Sequence, residues 1–217
     1  MIPGLRVAID EKAVVVTADG PLHVLSSAVR RGGLAEARTI VNLHVDKHHL
    51  GHDLERPLAA FIAERGLPEP CVGLLTAAWT EHAEVSHVTA CGFTVTAVAT
   101  VGLSNRTTAG RAEAARWLPS TINTIVVVHA DAEPAALVNA VVTVTEAKAL
   151  ALAEAGVRSA DGHPATGTST DAVVIAATGR GPAARFGGPA SEMGSAIGRA
   201  ALGVLERGIG AWKVRNP

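Results

Sequence analysis

Two β-branched apolar runs, TINTIVVVHA and DAVVIAATG, flank a long apolar segment, EPAALVNAVVTVTEAKALALAEAG, and a polar one, PATGTSTD. The runs predict strands and the long segment a helix, so this stretch predicts a β–α–β unit around which the remaining chain must pack. Asp131 or Ala132 stands at the expected cap, Pro134 suits the first turn because its missing N–H costs nothing there, and Gly156 ends the helix. Leu137, Val141, Val144 and Ala147 or Leu150 recur at helical spacing, yet the opposite side is hardly polar, so both faces are expected to be covered. A polar residue on such a helix needs a reason. Asn139, Thr143 and Glu146 fall at i, i+4 and i+7 and form one stripe. Glu146 is therefore expected to be paired or to line a wet cavity, since burying a lone carboxylate costs several kcal/mol. Lys148 lies about 200° round from Glu146 and is no same-face partner for it. The loop Thr166–Gly167–Thr168–Ser169–Thr170–Asp171 sets hydroxyls and a carboxylate just before an apolar strand, where ligands are commonly held. It lacks the lysine and glycine spacing of a phosphate-binding loop.

The 217 residues suffice for one sizeable core, and a single domain over 1–217 is expected. A net charge of −1 excludes a polycation built for nucleic acid, and 3% aromatics with no Tyr exclude a base-stacking platform. Cys71 and Cys91 make no disulfide framework and fit a reducing cytoplasm. MIPGLRVAIDEK does not read as a signal peptide, and no run reaches the roughly 18 uninterrupted apolar residues of a membrane span, so a soluble cytoplasmic protein is expected.

In chain order, LRVAI and AVVVT predict a hairpin, with Asp19–Gly20–Pro21 as the next turn. LHVLSSAV starts a third strand or a loop, followed by the basic turn at Arg30–Gly33. ARTIVNLHV predicts a strand with Asn42 and His44 on one side. His44, His48, His49 and His52 then fall within nine residues, but Gly51 interrupts any helical register, so no metal site is assigned. LERPLAAFIAERG predicts a helix capped by His52 or Asp53, CVGLLTA a buried strand ending at Thr76, and EVSHVTACG with FTVTAVATVG an antiparallel pair. In the connection LSNRTTAGRAEAARWLPS, Ser104, Asn105 and Arg106 are candidate donors to an amide-rich ligand, and Trp117 a cover for its apolar face. ATGRGPAARFGGPA reads as a linker or lid, and Ser191 caps a terminal helix. These elements predict a mixed α/β or α+β sandwich of mixed or antiparallel sheet with about three main helices.

The segments TINTIVVV, TEAKALAL and ATGTSTDAVVIA, in this order, resemble the C-terminal half of the adenosylcobinamide amidohydrolase family. LSSAVRRGGL, VGLLTAA and VGLSN are similar to its N-terminal half, so the resemblance runs from about Leu25 to about Leu205. It implies a hydrolase that removes aminopropanol from adenosylcobinamide to give adenosylcobyric acid in cobamide salvage. The partner it implies is a small corrinoid; no cofactor or metal is assigned, composition and the lack of an apolar span leave no nucleic acid or membrane partner expected, and homo-oligomerisation stays open. Amide hydrolysis needs a nucleophile, an oxyanion donor and an acid for the leaving amine. Glu146 and Asp171 are the candidates for base and acid, with Asn123 and the Thr166–Thr170 backbone as oxyanion donors. A second mechanism uses a hydroxyl nucleophile, Thr168, Ser169 or Thr76, and a third uses metal-activated water on the histidine run. Substrate contacts fall to Ser104, Asn105, Thr76, Lys148, Thr166, Ser169 and Thr170. The competing readings are a corrinoid-binding or sensing module without turnover and a hydrolase of another small amide.

Overall fold

The computed structural model describes residues 1–46, 53–112 and 121–216. The histidines at 48, 49 and 52 and Trp117 lie outside them. The strands are β1 (Leu5–Ile9), β2 (Ala13–Ser26), β3 (Gly33–His44), β4 (Cys71–Thr76), β5 (Glu84–Ala90), β6 (Phe93–Val101), β7 (Arg106–Thr107), β8 (Ile122–His129), β9 (Asp131–Ala132), β10 (Gly167–Thr168), β11 (Ala172–Ala177) and β12 (Ala183–Ala184). The main helices are α1 (Glu55–Arg65), α2 (Pro134–Glu154) and α3 (Glu192–Arg215). The central sheet runs β4-β3-β2-β11-β8-β6-β5 with β1 beside β2. Its β3–β4 and β8–β11 pairs are parallel and the other pairs antiparallel. This is the expected mixed α+β architecture.

The β8–α2–β11 crossover carries the strongest periodicity of the chain, and it forms as read. The turn expected at Asp19–Gly20–Pro21 does not. β2 continues through it, and the register with β3 slips between Thr17 and Leu22, so the extra residues are absorbed in a bulge that bends one long strand. Asp131 and Ala132 form a short strand with Ala183–Ala184 rather than a side-chain cap, and Glu133 becomes the N-cap of α2. Asp53 caps α1 through the Arg56 N–H, and Ser191 caps α3 through the Gly194 N–H.

Alternation along each strand sorts its side chains between two cores. On one face of the sheet Val126, Val128, Val95 and Ala97 pack against α2 and α3 through Leu137, Val144, Ile197 and Val204. On the other, Val14, Val16, Ile40, Leu74, Val98, Ile125 and Val174 fill the concave side of the bent sheet. The α1 helix closes the back of β3 and β4 through Leu58, Phe61 and Ile62. By length and composition α2 is apolar enough to cross a membrane, and half of that window is buried within the fold. Its inner face is buried in the first core, but Val138, Val142 and Leu150 on the other side are exposed, so the expected covering of both faces is corrected: one face of α2 is covered.

Candidate functional site

The bend in the sheet brings the end of β4 against the start of β8, and a polar layer caps the concave core there. Asn42, Thr100, Thr121 and Asn123 are all at most 3% exposed, so each polar atom in this layer needs a partner. Asn123 donates its amide hydrogens to Asn42 Oδ1 at 2.8 Å and to the Leu75 carbonyl at 2.9 Å, and its own Oδ1 accepts from Thr121. Asn42 donates in turn to Thr100 at 2.9 Å. The expected oxyanion role of Asn123 is thereby corrected: both its amide hydrogens are spent on the scaffold. Thr121 also bonds the Thr170 carbonyl at 2.7 Å, tying this layer to the polar loop.

At the end of that loop four donors converge on Asp171. Oδ1 accepts from the Ile122 N–H at 2.9 Å and from the Thr168 hydroxyl, and Oδ2 from the Thr168 N–H at 3.0 Å and from Lys148 Nζ at 2.5 Å. These donors use the carboxylate's four acceptor positions, so Asp171 has none spare for a water of its own. Its one route to proton transfer is through Thr168 or Lys148. The side chains of Lys148 and Asp171 are each 10% exposed. Gly167 lets the loop lie over this pair, because a Cβ there would overlap Asp171 Oδ2 and stand 3.0 Å from Lys148 Nζ. Sequence reasoning missed Gly167 because its φ is ordinary and only the tertiary approach requires it.

Glu146 does not join the constellation. It is exposed, and the expectation that it shares a cavity with Asp171 is corrected. The polar stripe has another explanation: Thr143 is buried and bonds the Gly187 carbonyl at 2.8 Å, which docks the glycine-rich segment on α2. The charged residue that α2 turns inward is Lys148.

A cavity of about 240 Å³ opens beside the pair, lined by Ser27, Thr76, Thr121, Ser169, Thr170 and Asp171 together with apolar groups. Thr76 is buried there and its hydroxyl accepts from the Ala78 N–H. Thr166 lies elsewhere: its hydroxyl accepts from the Ala109 N–H and staples the two polar loops, as does the pairing of β7 with β10. Asn105 donates to Ser169 at 2.6 Å. Arg106 is taken up by the carbonyls of Arg158 and Leu103 and so supports the loop rather than a ligand. Arg30 of the basic turn faces Glu55 and Glu69.

A second cavity, about 690 Å³, adjoins the first at Ala77, which lines both. Its walls include His44, Asp46, Trp79, His82, Ser104, Trp212 and Arg215. Of the residues read as substrate contacts, Ser104 falls here, while Thr76, Ser169 and Thr170 fall in the smaller cavity. Among the described residues no group of three or more His, Cys, Asp or Glu is placed to hold a metal ion.

An α+β fold with two adjoining cavities at its strand ends, beside a buried Lys–Asp pair that holds a hydroxyl, has the features of a candidate small-molecule site. The chain belongs to the adenosylcobinamide amidohydrolase family, whose sequence profile matches residues 2–217. The adenosylcobinamide amidohydrolase of Methanosarcina mazei is 31% identical over 199 residues, covering 88% of this chain and 91% of that one. An uncharacterized protein of Methanocaldococcus jannaschii is 37% identical over 83 residues, 37% of this chain and 32% of that one. Among solved structures, a beta-aminopeptidase of Burkholderia sp. is similar at 16% identity and a TM-score of 0.49, over 96% of this chain and 83% of that one.

Proposed function

We propose that this protein hydrolyses the amide joining aminopropanol to a corrin-ring side chain of adenosylcobinamide, releasing adenosylcobyric acid. The family membership supports this choice of substrate. The observation that carries the chemistry is the contact of the Thr168 hydroxyl with the Asp171 carboxylate, whose other oxygen Lys148 holds. A hydroxyl is a weak nucleophile until an adjacent base takes its proton, and Asp171 is the base in contact. In this reading Thr168 Oγ1 adds to the amide carbon as its proton passes to Asp171. The C–N bond breaks, the amine leaves with a proton returned from the Lys148–Asp171 pair, and water cleaves the resulting ester to regenerate the hydroxyl.

The adjoining cavities suit a substrate with a small reacting arm and a large planar body. The smaller has hydroxyls beside the Lys148–Asp171 pair. The larger lies within the range of about 300–1,000 Å³ usual for ligand pockets and has two tryptophans on its walls. The test is incubation of the purified protein with adenosylcobinamide and detection of adenosylcobyric acid and free aminopropanol by mass spectrometry. The expected result is both products in equal amount, with a transient acyl-protein adduct on the peptide containing Thr168. Bound corrinoid without product across a range of pH and added divalent metals would overturn hydrolysis in favour of a binding module. Product from Thr168→Ala at the wild-type rate would overturn the nucleophile.

A further inference from the structure

We propose that His44 supplies an axial nitrogen ligand to the cobalt of the bound corrinoid, anchoring the ring in the larger cavity. This rests on the reading that the substrate is a corrinoid. His44 ends β3 and lines the larger cavity, while its ladder partner Thr76 lines the smaller one. Neighbouring strands lie about 4.8 Å apart, so a ring held at His44 lies one strand away from the wall of the smaller cavity.

The ring is set up as a ligand. His44 Nδ1 lies 3.0 Å from the Ala78 carbonyl, which can only accept, so the hydrogen sits on Nδ1 and the Nε2 lone pair is free to coordinate. No described residue bonds Nε2. A carbonyl behind a ligating imidazole fixes its tautomer and orientation and raises its basicity. Trp79 stacks on the same ring at 4.7 Å between centroids and 16° between planes, restricting its rotation. His82 lines the same cavity but lies 3.7 Å from Glu81, and no carbonyl among the described residues orients its ring.

A lone histidine is a poor site for a free metal ion, which needs several protein ligands. A corrinoid reverses that requirement. The ring provides four equatorial nitrogens and the adenosyl group one axial carbon, leaving one position held by exchangeable water in cobinamide. One imidazole fills it, with water leaving as the Nε2 lone pair binds and no change in cobalt oxidation state. Imidazole nitrogen suits first-row transition metals of this kind.

The experiment is electron paramagnetic resonance of cob(II)inamide, the reduced substrate without its adenosyl group, bound anaerobically to the full chain. The unpaired electron of low-spin Co(II) points along the axial direction, so one bound ¹⁴N splits each cobalt line into three. Triplets are expected in the wild type and in His82→Ala, and single lines in His44→Ala and the bulkier His44→Gln, with triplets restored to His44→Ala by free imidazole. Corrinoid that binds the wild type with unsplit lines would overturn the ligation while leaving the hydrolase reading intact. Triplets that persist in His44→Ala would move the ligand to another histidine and overturn the assignment. Neither binding nor product would overturn both readings together.

Discussion

Lys148, two-thirds along α2, meets Asp171, the residue before β11, at 2.5 Å, with each side chain 10% exposed. Removing one member of a buried pair leaves an uncompensated charge and typically costs about 3–5 kcal/mol, whereas removing both costs less. Lys148→Met and Asp171→Asn are each expected to lower stability by about 3 kcal/mol, with the double variant no less stable than the worse single one. Urea unfolding of the four proteins checks this. Activity per folded molecule is expected to fall by about 10²-fold or more in each, since the pair takes and returns the proton.

Gly167→Ala tests the same pair without touching its charges. The added methyl must displace the Asp171 carboxylate or lift the loop. Overpacking of this kind usually costs about 1–3 kcal/mol. The expected outcome is a loss of turnover larger than the loss of stability accounts for, read from kcat on protein shown to be folded by circular dichroism.

Glu146→Gln is expected to be silent. The residue is exposed, and surface substitutions away from special features usually stay within about 0.5 kcal/mol. A kcat within about twofold of wild type is the expected result. A hundredfold loss would restore Glu146 as a base and displace Asp171.

Asn123→Ala removes the hub of the polar layer and leaves Asn42 Oδ1 and the Leu75 carbonyl short of a donor. An unsatisfied buried group costs about 1–3 kcal/mol. The expected result is a lowered urea midpoint of that order, because the role of Asn123 is to hold β8 against β3 and β4.

The two thiols are expected to react unequally. Burial, followed by the charge of Glu69, pushes the Cys71 thiol up to about 11, while Cys91 is exposed at a hairpin turn. A raised thiol is protonated at neutral pH and becomes nucleophilic only as the pH approaches its pKa. Titration with a disulfide reagent at pH 7–8 is expected to modify one thiol in the native protein and two after denaturation, with Cys91→Ser abolishing the native reaction.

Much of the fold was legible because it is written in local pattern. The β8–α2–β11 unit, the Asn42/His44 face of β3 and the Ser191 cap follow from alternation, helical spacing and a hydroxyl before an apolar run. The turn misread at Asp19–Gly20–Pro21 shows the limit of that reading. Gly and Pro punctuate a turn and a bulge alike, and only the pairing of both flanking halves of β2 with the same β3 separates the two.

By itself, then, the sequence determined the elements, the family and the polar loop before β11, since each depends on neighbours a few residues apart. Which side of α2 turns its charge inward was beyond it. Apolar residues surround both Glu146 and Lys148, and a helix that is apolar nearly all round gives no pattern by which to tell its buried face from its exposed one. The sheet decides, by placing Asp171 beside Lys148. The bonding of Asn42 to Asn123, separated by 81 positions, likewise exists only once the sheet bends far enough to bring β3 across to β8. Local pattern can announce that a polar group needs a partner, but the partner is chosen by closure of the whole sheet, which no window of sequence contains.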